Sequence, residues 1–203
     1  MNAIKTIVLF VLLFVLQLGT SYAQQDTTVN SALERMTLAA VTGDVHALIR
    51  YMSPRLIDGM GGKESAFTLI NEANAKLKDY GIKIDSTINY NQFAVFDIDD
   101  VSYKYIPQLI IMSIPDTAKR MISLTSLLAI KEGEPSSWTF IDTSNLNETT
   151  MEILLPEFEK NTFPKLVDKP LVIPKEEVSE AIAYLMDLID QLFTESEKIE
   201  DSP

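Results

Sequence analysis

Asp142 closes the run Ser137-Trp138-Thr139-Phe140-Ile141-Asp142, in which Trp138, Phe140 and Asp142 recur with period 2. Alternate residues of a strand point to one face, so these three side chains share a surface. If that surface is an enclosed interior, Asp142 is a desolvated carboxylate with its pKa raised toward that of a working general acid or base. Tyr51 and Tyr105 are the phenols it would pair with. If the strand ends there instead, the Asp142 carboxylate caps the following turn, and this is the expected role.

The other chemical candidates read as structural. His46 is the single histidine, and on its helix it falls off the stripe formed by Val45, Leu48, Ile49 and Met52, so it should face solvent; geometry must precede pKa in any acid–base assignment. Asp97, Asp99 and Asp100 lack the spacing that wraps calcium and read as a solvated hairpin turn. Gly59-Met60-Gly61-Gly62-Lys63-Glu64 has neither the glycine spacing nor the Lys-Ser/Thr pair of a phosphate loop and marks a helix boundary. Neither Gly-x-Ser-x-Gly nor Ser-x-x-Lys occurs, so the familiar serine nucleophiles are missing.

With no Cys and one His, thiolate catalysis, disulfides, cysteine-rich metal sites and two-histidine motifs are excluded. No metal or cofactor is expected. The 17 Lys and Arg residues face 29 Asp and Glu, for a net charge of −12. That balance argues against a nucleic-acid partner, since phosphates are bound by clustered cations.

These residues must be positioned by an exported domain. Lys5, the apolar run Ile7–Leu16 and Ser21-Tyr22-Ala23 form the three parts of a secretory signal peptide, with cleavage expected after Ala23. A spanning helix needs about 20 apolar residues, so no stable membrane anchor is expected after cleavage. The exported remainder is periplasmic or extracellular and more acidic than the whole, because residues 1–23 hold Lys5 and no acid.

Helical spacing covers residues 29–52, broken at Thr42-Gly43-Asp44, and a third helix runs from Lys63 to Asp79, bounded by Tyr80-Gly81. The period then drops to 2 from Ile82 to Tyr90. Further strands are expected at Phe93–Ile98, Tyr103–Ile114, Arg120–Ile130 and Trp138–Asp142, joined by turns short enough for an antiparallel meander. A short helix follows at Glu148–Leu155, then an irregular stretch through Pro156, Pro164, Pro170 and Pro174. The fold class is α+β.

A last helix, Lys175 to Phe193, carries Val178, Ile182, Leu185, Ile189 and Leu192 at heptad spacing, followed by an acidic tail from Glu195. The strand Tyr103–Ile114 is apolar on both faces, with Tyr105, Leu109 and Ile111 on one and Ile106, Ile110 and Met112 on the other, so both need covers. The last helix supplies one of them, unless its stripe pairs with a second copy to form a homodimer or with another partner.

Gly43-Asp44, Pro54, Gly61-Gly62-Lys63-Glu64, Gly81-Ile82-Lys83-Ile84, Ile106-Pro107-Gln108 and Ser137–Asp142, in that order, resemble the pattern of the nuclear transport factor 2-like superfamily, which includes the SnoaL-like proteins. Within it, the chain is similar to small exported, uncharacterised proteins found in the Bacteroidetes. The resemblance covers residues 28–173 and implies a cone of curved antiparallel sheet around N-terminal helices, its mouth a pocket that is catalytic in some members and only binds in others. The domains are then 1–23, signal peptide; 24–173, the cone; and 174–203, an added C-terminal helix and acidic tail. A non-catalytic module for a small apolar ligand or a partner protein is expected, with an isomerase-, dehydratase- or hydrolase-type pocket enzyme using Asp142 and a tyrosine as the alternative.

Overall fold

The computed structural model describes residues 28–91, 94–133, 137–144, 146–158 and 169–200. The expected signal peptide lies outside them. Helix α1 (Val29–Thr42) begins on Thr28, whose hydroxyl accepts from the Ser31 N–H at 3.3 Å, and stops at Gly43 with a left-handed φ of 72°. Asp44 caps α2 (Val45–Ile49) by accepting from the Ala47 N–H at 2.9 Å. Pro54, read from sequence as a break, opens a further helix α3 (Pro54–Gly59). Proline is tolerated there because the first-turn N–H it lacks has no helical partner anyway. Helix α4 (Lys63–Asp79) has the expected bounds.

A six-stranded antiparallel sheet follows, formed by β1 (Lys83–Asn89), β2 (Ala94–Ile98), β3 (Val101–Ser113), β4 (Lys119–Glu132), β5 (Thr139–Asp142) and β6 (Leu171–Pro174). The class is α+β, but the strands are not a simple meander. β1 and β2 do not pair with each other; they lie end to end along one edge of β3. β5 and β6 share the outer edge of β4 in the same way. The break between β1 and β2 coincides with Pro107, whose carbonyl accepts from the Tyr90 N–H at 2.9 Å. In a strand the N–H and C=O of one residue point to the same side, so the donor that proline lacks faces this break and the ladder to β4 loses nothing.

β6 falls in the stretch expected to be irregular; its proline sits at the strand end, opposite Lys119, where no central ladder is interrupted. Helix α5 (Glu148–Leu154) follows β5. A 3₁₀ turn, Lys175–Glu177, leads into α6 (Val178–Glu200), which continues past Glu195, the expected start of a tail.

Both faces of the sheet are covered. On the front, Val29, Ala32 and Leu33 of α1 pack on Ile106, Leu127, Ala129, Trp138 and Phe140. On the back, Leu185 and Ile189 of α6 pack on Tyr90, Leu109, Ile111, Ile122 and Leu124, with Val178, Ile182 and Leu192 beside them. The heptad stripe is thus spent within the chain. Burial of each such aliphatic side chain is worth about 1.5–3 kcal/mol.

Candidate ligand site on the front face of the sheet

The register stacks the front-face residues in rows across the strands. Above a polar row of Asp97, Ser102 and Lys131 come Val95, Lys104, Ala129 and Phe140, with Ile106, Leu127 and Asp142 above them. Next come Asn89, Gln108 and Thr125, then Thr87, Ile110 and Ser123, and finally Ile84, Met112, Met121 and Val172. The N-terminal half of α1 packs on the rows of Phe140 and Leu127. Farther along α1, the Thr37 hydroxyl meets that of Thr87 at 3.2 Å.

The upper rows are covered less well. Ile84, Ile110, Met112 and Met121 are half-buried, and Val172 is 53% exposed. Helix α4 has a matching shortfall: over its length Ala66 alone is buried, whereas Phe67, Ile70 and Leu77 are half-buried. It packs instead on α2, through the stack of Phe67 on His46 at 4.4 Å, and on α3.

Between the packed rows and the open ones lies the polar row. Gln108 and Thr125 face each other on adjacent strands and are 5% and 8% exposed. Gln108 Nε2 donates to Asn89 Oδ1 at 2.6 Å. The Thr125 hydroxyl is buried with no hydrogen-bond partner among the described residues. An orphaned buried hydroxyl costs about 1–3 kcal/mol, so such groups are usually paired with protein, water or ligand. No side chain in the upper three rows titrates. The arrangement can hold a molecule by apolar contact and hydrogen bonding, and by itself offers neither an acid nor a base.

The candidate residues read from sequence lie elsewhere. Asp142 ends β5, exposed, and its Oδ1 accepts from the Ser144 N–H at 2.9 Å and from the Ser144 hydroxyl. That is the turn-capping geometry. Tyr105 is buried on the back face, where its phenol bonds to Ser126; burial, opposed by that hydrogen bond and aided by the negative charge of Asp142, pushes its pKa up to about 12. The Ser126 hydroxyl in turn meets that of Thr143 at 2.7 Å. Asp142 and Tyr105 are therefore within electrostatic reach of one another, while Tyr51 packs against the front-face core around α1. His46 is exposed, and Asp97, Asp99 and Asp100 lie exposed at the β2–β3 hairpin, with Asp99 left-handed at φ 53°.

A charged cluster unanticipated from sequence closes the lower back face. Arg55 donates to Glu132, to Glu157, to the Leu154 carbonyl at 3.1 Å and to the Tyr103 phenol at 3.4 Å, and Tyr103 donates to Glu157. Burial works against the Glu157 carboxylate, but the bonds from Tyr103, its backbone and Arg55 outweigh it and hold its pKa below the usual value. Burial and the bond to Glu157 push Tyr103 up to about 12, against the opposing Arg55 charge. The Arg55 guanidinium is raised despite its own burial, by the bond to Glu157 and the surrounding negative charge. Each member is satisfied by another, the arrangement of a structural ion-pair network.

Gln108 and Thr125 had a weak signature in sequence: each interrupts a long apolar run with a polar residue. Their alignment across β3 and β4 depends on register, which no local pattern specifies. No family model matches the chain, and no curated protein matches it in sequence. Among the described residues no helix is long and apolar enough to cross a membrane, and no cluster of acidic residues and histidine has the makings of a metal site.

Proposed function

We propose that the chain is an exported, non-catalytic binding module of the nuclear transport factor 2-like type, which seats a small, largely apolar ligand between α4 and the upper front face of the sheet. The observation that carries this reading is the Thr125 hydroxyl, buried beside Gln108 with no partner among the described residues, below the half-buried Ile110, Met112 and Met121. Buried hydroxyls without a protein partner are uncommon, and a bound molecule is one way to complete such a group. The apolar stripe of α4 is likewise only half-buried, which leaves it able to contact a ligand.

A thermal-shift screen of the full chain against hydrophobic small molecules tests the proposal. Stabilisation by at least one of them is expected, with no requirement for metal; stabilisation by metal ions alone would overturn it. Export is tested separately, by the mass of the product recovered outside the cytoplasm, which should begin at Gln24.

The pocket-enzyme reading has one observation in its favour, the Asp142 charge acting on the Tyr105 phenol. It requires that a substrate reach Tyr105, which is 1% exposed beneath the back-face cover. An Asp142→Asn variant that abolished a measured turnover would favour it.

A further inference from the structure

We propose that α4 is a hinged lid at the upper front face of the sheet, pivoting at Gly81 and swinging at its N-terminal end about Gly61-Gly62. The motion is a property of the fold and does not depend on a bound ligand. Its first support is how little holds the helix. Of 17 residues in α4, Ala66 alone is buried. The 14 residues of α1 bury Val29, Ala32, Leu33 and Ala39, and Thr37 ties that helix to Thr87 on β1. Among the described residues no side-chain hydrogen bond or ion pair joins α4 to another element. The Thr68 hydroxyl and the Asn71 amide donate at 3.0 Å to the carbonyls of Glu64 and Phe67, one turn back in the same helix. The anchors at its N-terminal end are Ala66 and the stack of Phe67 on the exposed His46. Elements with few buried contacts are the ones that open without unfolding the rest.

The two ends of α4 differ. Gly61 and Gly62 hold φ at 88° and 95° immediately before the first helical residue, and a Cβ at Gly62 would meet nothing within 4 Å. Consecutive glycines in open space absorb a large change in φ and ψ, which is what a hinge requires. At the other end the Ile82 N–H donates to the Leu77 carbonyl at 2.8 Å, and Gly81 sits against Pro115 of the β3–β4 turn. That end is fixed at the top of the sheet. The stripe Phe67, Ile70 and Leu77 is half-buried, and so are Ile84, Ile110, Met112 and Met121 on the upper sheet. A swing of α4 toward the sheet therefore adds apolar burial, the force that closes the lid. The flexible side chains of Met112 and Met121 adapt to either position.

Pulsed electron paramagnetic resonance between paired spin labels tests the lid, and because the chain has no cysteine, labels attach only at introduced sites. In the full chain, Thr68→Cys on α4 with Lys119→Cys on β4 measures the helix against the sheet. Arg35→Cys on α1 with the same Lys119→Cys is the control; all three positions are exposed. The control should give one narrow distance distribution and the α4 pair a bimodal one. Adding Phe67→Ala, which removes the ring stack, should raise the ratio of open to closed by about tenfold. The control pair in that variant reports whether the fold is kept, and the comparison of the two pairs stands without the substitution. A single narrow distribution from the α4 pair would overturn the lid. Equally broad distributions from both pairs would also overturn it, by placing the motion outside α4. A bimodal distribution that Phe67→Ala leaves unchanged would overturn the assignment of the opening to the N-terminal end.

Discussion

The phenol of Tyr90, at the end of β1, donates a hydrogen bond to the carboxylate of Asp190 on α6, tying the C-terminal helix to the break between β1 and β2. Phe193 packs against the same tyrosine ring at 5.4 Å and approaches Tyr105 at 6.2 Å. The helix is thereby part of the core. Ile189, fully buried on the sheet-facing side of this helix, should cost about 3 kcal/mol when replaced by Ala, and Tyr90→Phe about 1 kcal/mol. Urea denaturation should show both losses; an unchanged midpoint for Ile189→Ala would mean that α6 is not seated on the sheet in solution.

Thr125→Val should make the ligand-free chain more stable. The substitution keeps the β-branched shape and removes a hydroxyl that has no partner among the described residues, a gain of about 1 kcal/mol. A loss of stability in urea would show instead that the hydroxyl is satisfied by water.

The charged cluster sets the acid limit. Glu157 has a folded-state pKa below its unfolded value of 4.5, so its contribution is complete above that pH and declines as pH falls through the folded value. Glu157→Gln should cost about 1–2 kcal/mol at neutral pH, since Arg55 and Glu157 are partly exposed to water. The same variant should flatten the loss of stability between neutral and acid pH. A parallel decline in both proteins would exclude Glu157 as its source.

At the alkaline end Tyr103 and Tyr105 act with the same sign. Each has an unfolded value of 10.0 and is pushed up to about 12 in the fold. Below pH 10 both states hold the proton and stability is unaffected; from 10 to 12 the unfolded chain ionises first and the fold weakens. Phenolate absorbance should therefore rise together with unfolding in this window. Titration of all the tyrosines near 10 without unfolding would contradict the buried placement of these two.

Gly81 joins α4 to β1 with φ at +67°, and a Cβ there would meet Cγ of Pro115 at 3.1 Å. Gly81→Ala should cost about 1–2 kcal/mol through the left-handed backbone alone, read as a lower urea midpoint. A neutral result would mean that this turn relaxes freely.

Local signals were enough for most of the elements. The apolar periods, the Asp44 cap and Gly43 and Gly81 at helix ends place α1, α2 and α4, and the alternation from Ile82 onward places β1. Two short pieces escaped them. A six-residue helix opened by Pro54 and a four-residue edge strand ending in Pro174 are too brief to show a period, and proline reads as a breaker at both. The extension of α6 to Glu200 runs against the acidic composition of its end, which carries no apolar stripe to reveal a helix.

The sequence by itself determined the α+β class, the two-sided burial of β3 and the need for a cover on each side, with α6 the expected cover of one, because spacing and hydrophobicity are local properties of the chain. Tertiary structure alone decided which polar residues meet. Strand register aligned Gln108 with Thr125 and left a hydroxyl without a partner among the described residues, while chain reversal brought Arg55 to Glu132 and Glu157. It also set Asp142 at an exposed strand end, where its carboxylate turns to Ser144. Pairings between residues far apart in the chain depend on how whole elements stack, and a one-residue shift in register would exchange every one of these faces.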